Sequence, residues 1–66
     1  MQRAKARADK DISAIRMAGH TTESLRAFWD GNAKAYDALA KAVPEQFNRI
    51  EAAYLDALDA ASARAA

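Results

Sequence analysis

The side chains with reactive potential are few, and most of them stand close together. His20, the only histidine, lies within a few residues of Thr21, Thr22 and Ser24, with Ser13 further up the chain. The chemistry this spacing could support is a hydroxyl nucleophile activated by an imidazole base. A working site of that kind also needs a group that orients the base and donors for the developing charge. Nothing in the spacing supplies them, and capping or surface roles account for all four hydroxyls. The expectation is therefore no enzyme and no catalytic residue. The chain has no cysteine, which removes disulfide scaffolds, thiolate zinc sites and thiol catalysis. His20 has no second histidine at ligand spacing and the carboxylates are scattered over outward faces, so no metal site is expected. No glycine-rich phosphate loop occurs, and no cofactor or small-molecule substrate is implied.

The elements that would position these groups are helices. From Gln2 to Ala18 nearly every residue is a good helix former, and Ala4, Ala8, Ile12 and Ile15 recur on one face with Arg3, Arg7 and Lys10 roughly opposite. Gly19 tolerates the left-handed geometry that ends helices. Thr21 or Thr22 can cap a second helix from about Thr22 to Asp30, with Glu23 in its first turn and Leu25, Phe28 and Trp29 as its apolar side. Asp30-Gly31-Asn32 is turn chemistry, with Asn32 placed to cap a third helix that begins near Ala33 and turns Tyr36, Leu39, Ala40 and Val43 inward. Pro44, the only proline, reads as the first position of a last helix running to about Ala63. Phe47, Ile50, Tyr54, Ala57, Leu58 and Ala61 form its stripe, while Asn48, Arg49, Asp56 and Asp59 turn outward. The stripes before and after Pro44 are in phase, so one long helix kinked at the proline is the competing reading.

All of this predicts an all-α fold: a small bundle of three to four helices or a helical hairpin, in one domain spanning residues 1–66. At 66 residues a single core is marginal. Hydrophobic residues make up 52% of the chain, but nineteen of its residues are alanine, which buries little apolar area. The larger core candidates are Ile12, Ile15, Met17, Leu25, Phe28, Trp29, Tyr36, Leu39, Val43, Phe47, Ile50, Tyr54, Leu55 and Leu58. Leu55 falls off its helix's stripe and is a candidate exposed contact. A core this thin argues for completion by a homo-oligomer or a partner surface.

Net charge is +1, yet residues 1–16 carry Arg3, Lys5, Arg7, Lys10 and Arg16 against Asp9 and Asp11, whereas residues 44–66 are net acidic. That gradient suits an anionic partner at one end or a head-to-tail or antiparallel assembly. No apolar run approaches the ~20 residues of a membrane span, and the N-terminus lacks the apolar stretch of a secretory signal. A soluble, cytoplasmic protein is expected.

The span from Ala14 to Phe28 resembles a bacterial helix-turn-helix: Gly19 ends a helix, Thr21 opens the next, and Ser24, Leu25 and Phe28 recur where the two helices would cross. Ile15 and His20 depart from the pattern, standing where that family has a small alanine and an aliphatic plug. The resemblance implies a DNA-binding regulator centred on residues 14–29, with Thr21, Thr22, Glu23 and Arg26 toward the major groove and Arg16 and Lys10 available for phosphates. Trp29-Asp30-Gly31 with Ala33 and Tyr36 looks like the Trp-x-Gly turn of small secreted helical-hairpin proteins. Tyr36-Asp37 followed by Val43-Pro44-Glu45-Gln46-Phe47 is similar to the core of the NepR-type anti-sigma factors.

The leading expectation is a protein that acts by protein–protein contact, as an oligomerising hairpin or a regulatory adaptor or inhibitor. Phe28, Trp29, Tyr36 and Leu55 are the candidate partner-binding residues, because large aromatic and aliphatic side chains anchor interfaces. DNA binding through the helix-turn-helix residues is the alternative.

Overall fold

A computed structural model describes residues 2–17 and 19–65. Four helices account for almost all of them: α1 (Gln2–Ile15), α2 (Thr22–Gly31), α3 (Ala33–Ala42) and α4 (Pro44–Ala65), with no strand among the described residues. The end expected for the first helix at Ala18 lies outside the described residues. Helix α1 stops at Ile15 in a turn closed by Arg16 N–H to the Ile12 carbonyl at 2.9 Å, and Gly19 then takes φ +95°, the left-handed geometry its missing Cβ allows.

Thr21 is the N-cap of α2. Its hydroxyl accepts the Ser24 N–H at 3.1 Å, while the Ser24 hydroxyl accepts the Thr21 N–H at 2.8 Å, a reciprocal capping box. Asn32 does not cap α3 with its side chain. Its amide donates to the Phe28 carbonyl at 2.8 Å, which satisfies an acceptor in the last turn of α2 instead.

Pro44 opens α4 and does not kink a longer helix. Val43 sits at φ −140°, ψ 74°, outside the helical region, as the residue before a proline is driven to be. Its N–H closes α3 on the Leu39 carbonyl at 2.7 Å, and its own carbonyl accepts from Gln46 and Phe47 to start α4. Because the proline occupies a position whose N–H has no helical partner, Pro44→Ala is expected to change stability by no more than ~1 kcal/mol and to leave the angle between α3 and α4 unchanged. Denaturant unfolding of the two proteins reads this. A variant stabilised by ~3 kcal/mol would mean the proline interrupts a continuous helix.

Helix α4 is the spine. At ~1.5 Å per residue its 22 residues cover ~33 Å of a molecule 39 × 18 × 14 Å in extent. Helix α1 runs in the same direction beside it, since Arg49 near the start of α4 meets Asp9, and Arg64 near its end reaches the carbonyl of His20 just beyond α1. Helices α2 and α3 return along α4, broken from each other only at Asn32. The most extensive packing is α1 on α4, followed by α3 and α2 on α4, while α1 and α2 barely touch. Small residues explain the first of these: Ala8 on α1 and Ala53 on α4 are both buried, and alanine lets helix axes approach. Ile15, Leu25, Tyr36 and Ile50 are the large fully buried side chains. Met17, expected in the core, is 67% exposed because α1 has already ended and the turn carries it off the apolar face.

Candidate functional site

Three features concentrate chemistry or unsatisfied surface. The first is the turn around His20. Its Nε2 lies 2.8 Å from the Ala14 carbonyl, which can only accept, so that nitrogen carries a proton, and its Nδ1 lies 3.0 Å from the Ser24 hydroxyl. The imidazole therefore ties the end of α1 to the first turn of α2. An imidazole and a serine hydroxyl are brought together, but that hydroxyl already accepts the Thr21 N–H and lies 3.0 Å from the Thr21 carbonyl. The pair serves the cap. Among the described residues, no group of three histidine, aspartate or glutamate side chains is arranged to hold a metal ion.

The second feature is a buried polar network that joins α1 to α3. The Asp11 carboxylate, only 7% exposed, accepts the Tyr36 hydroxyl at 2.8 Å and the Arg7 Nε at 2.9 Å on the same oxygen. Arg7 continues to the Asn32 side-chain carbonyl at 2.9 Å. Burial raises the Tyr36 phenol above its ordinary pKa, with its hydrogen bond to Asp11 acting in the same direction. Arg7 is raised as well, chiefly by its hydrogen bond to Asp11. Ionising Tyr36 is thus harder in the fold than in the unfolded chain. The stability it contributes is complete below the ordinary tyrosine pKa of ~10 and is lost as pH rises through the higher folded-state value. Stability is accordingly expected to fall above pH ~10, and less steeply in Tyr36→Phe. Urea midpoints of both proteins across that range check it; parallel curves would contradict it. On the surface, Lys5 at 2.9 Å and Arg49 at 2.7 Å hold the exposed Asp9 carboxyl below its usual range, and that small contribution disappears as pH falls through it.

The third feature is apolar surface. The Trp29 ring stacks on Tyr54 with centroids 4.5 Å apart, meets Tyr36 at 4.8 Å and approaches Phe47 edge-on at 6.0 Å, joining α2, α3 and α4 in one aromatic cluster. Beyond the end of α1, the last turns of α4 have no α1 neighbour, and an open groove of about 350 Å³ remains. Ile15, Leu25, Ala57 and Ala60 floor it, and Arg16 and Arg64 stand at its rim.

Of the four candidate partner-binding residues, Leu55 is 57% exposed, Phe28 and Trp29 are half-buried against the core, and Tyr36 is 2% exposed. Tyr36 is thereby corrected from a contact to a core residue, because its hydroxyl finds a buried acceptor in Asp11. The candidate DNA-binding residues are spread: Lys10 and Arg16 are exposed on and just past α1, Glu23 and Arg26 are exposed on α2, Thr22 is half-buried and Thr21 is held in the cap. Asp11 was missed as a structural residue. A signal existed, for it stands three residues after Ala8 and four before Ile15, on the apolar face. The groove had no such signal, since it depends on where α1 stops relative to α4. Comparison of the chain with protein-family models, curated proteins and solved structures finds no match to any of them.

Proposed function

We propose that this chain acts by protein–protein contact, first of all with copies of itself. The observation that carries the reading is the imbalance between its core and its surface. Four large side chains are fully buried, whereas Phe28, Trp29, Leu39, Phe47, Tyr54 and Leu58 are half-covered and Leu55 and Met17 project into solvent. Fully burying an exposed leucine gains ~1.5–3 kcal/mol and finishing the burial of a partly covered side chain a fraction of that, so covering Leu55 and Met17 together with several of the others supplies stability that a chain of this size needs. A regulatory adaptor or inhibitor would use the same surface, with another protein in place of a second copy.

Duplex-DNA binding draws less support. In a helix-turn-helix the two helices pack on each other so that the second can enter the major groove, and here α1 and α2 each lean on α4. The outward face of α2 offers one cation, Arg26, beside Glu23 and Asp30.

If association stabilises the fold, the melting temperature rises with protein concentration between ~1 and ~100 µM. Leu55→Gln should flatten that dependence while shifting the dilute melt by no more than the ~0.5 kcal/mol typical of surface changes. A wild-type melting temperature independent of concentration would remove the proposal.

A further inference from the structure

Of the two large apolar side chains that the fold leaves out, Met17 lines the apolar hollow that it leaves open, and Leu55 lies on the same helix as that hollow. Leu55 is 57% exposed, with Glu51 four residues before it and Asp59 four residues after, so it forms a knob framed by carboxylates. The groove beside the end of α1 has the opposite frame: an apolar floor of Ile15, Ala57 and Ala60 between the guanidinium groups of Arg16 and Arg64. Asp56 also lines it and offsets one of those two charges, leaving the rim cationic. Among the described residues, none of Glu51, Asp59, Arg16 and Arg64 makes a salt bridge within the chain.

We infer that the groove receives Leu55 of a second copy of this chain, with the incoming Glu51 and Asp59 carboxylates against Arg16 and Arg64. The inference rests on the self-association reading and adds its geometry. Charge complementarity selects the occupant, since an acidic-framed leucine and a basic-framed apolar groove are both carried by every molecule. Leu55 and Ala57 are two positions apart, which at ~100° per residue turns them ~200° from each other around α4. A two-fold dimer needs the same patch on both partners and cannot join opposite faces reciprocally. The contact is heterologous: each copy gives its knob to one neighbour and its groove to another, and assembly proceeds to an open chain or a closed ring.

Two variants test this. Leu55→Gln removes the knob from an exposed position. Ala60→Glu, also exposed and on a helix that accepts glutamate readily, fills the groove and places a carboxylate against the rim arginines. Circular dichroism melts at low concentration establish that both remain folded. In sedimentation velocity the wild type is expected to grow beyond a dimer, and each variant alone to associate at least ~10-fold more weakly. An equimolar mixture should form a particle of twice the monomer mass and stop there, because Leu55→Gln still offers a groove and Ala60→Glu still offers a knob. A wild type that assembles while the mixture does not recover a dimer would overturn the knob-and-groove arrangement and leave self-association standing. A wild type that is monomeric throughout would overturn both.

Discussion

Truncating Trp29 to alanine is expected to cost ~3–5 kcal/mol, the range for removing a large aromatic side chain from a packed cluster. The indole is the piece that holds three helices together: it stacks on Tyr54 of α4, meets Tyr36 of α3 and touches Phe47 at the start of α4. For a chain of 66 residues the whole stability is of order ~3–10 kcal/mol, so the variant is expected to be largely or marginally unfolded at room temperature. Trp29→Phe keeps an aromatic face toward Tyr54 and should lose about half as much. Since Trp29 is the only tryptophan, urea unfolding has to be followed by circular dichroism rather than by indole fluorescence. A Trp29→Ala variant that melts within ~1 kcal/mol of the wild type would show that the aromatic cluster is peripheral.

The second large effect belongs to Asp11. Removing its carboxylate in Asp11→Ala strands the buried Tyr36 hydroxyl and releases Arg7, and a buried polar group left without its partner costs ~1–3 kcal/mol. Arg7 is partly exposed and recovers water, so most of the loss lies with Tyr36. Tyr36→Phe removes the other end of the same bond. The double variant is therefore expected to lose clearly less than the sum of the two single losses, with a coupling of ~1 kcal/mol or more. Strict additivity in denaturant unfolding would mean that Asp11 and Tyr36 act independently, and the network would then not be what fastens α1 to α3.

These two sites also mark how far the sequence could be read. Helical period and punctuation placed all four helices closely, because Gly19, Thr21 and Pro44 each impose a backbone requirement that needs no knowledge of the tertiary fold. The stripe Phe47, Ile50, Tyr54, Leu58 and Ala61 was legible for the same reason, as was the position of Leu55 outside it. Where the outcome depended on a neighbour, the reading failed. Asn32 has the side chain of a cap for α3, yet Arg7 and the Phe28 carbonyl compete for it and win. Tyr36, read both as an inward residue of α3 and as an interface anchor, is held to the first role by a buried carboxylate. Ala53 was not on the expected stripe and is buried, because α1 lies in parallel alongside α4 and widens the buried face of that helix. The basic start and the acidic last helix lie side by side through that parallel arrangement, yet the ion pair between them, Asp9 with Arg49, joins the minority charge of each segment.

The central question is whether this bundle completes itself with further copies of the chain. Sedimentation velocity of the unmodified protein over a range from ~1 to ~100 µM addresses that directly, in moderate salt and again in high salt, where contacts between exposed charges are screened. A mean mass above that of the 7.2 kDa monomer, rising with concentration and reduced by salt, is expected. A single 7.2 kDa species across the whole range, unaffected by salt, would contradict it.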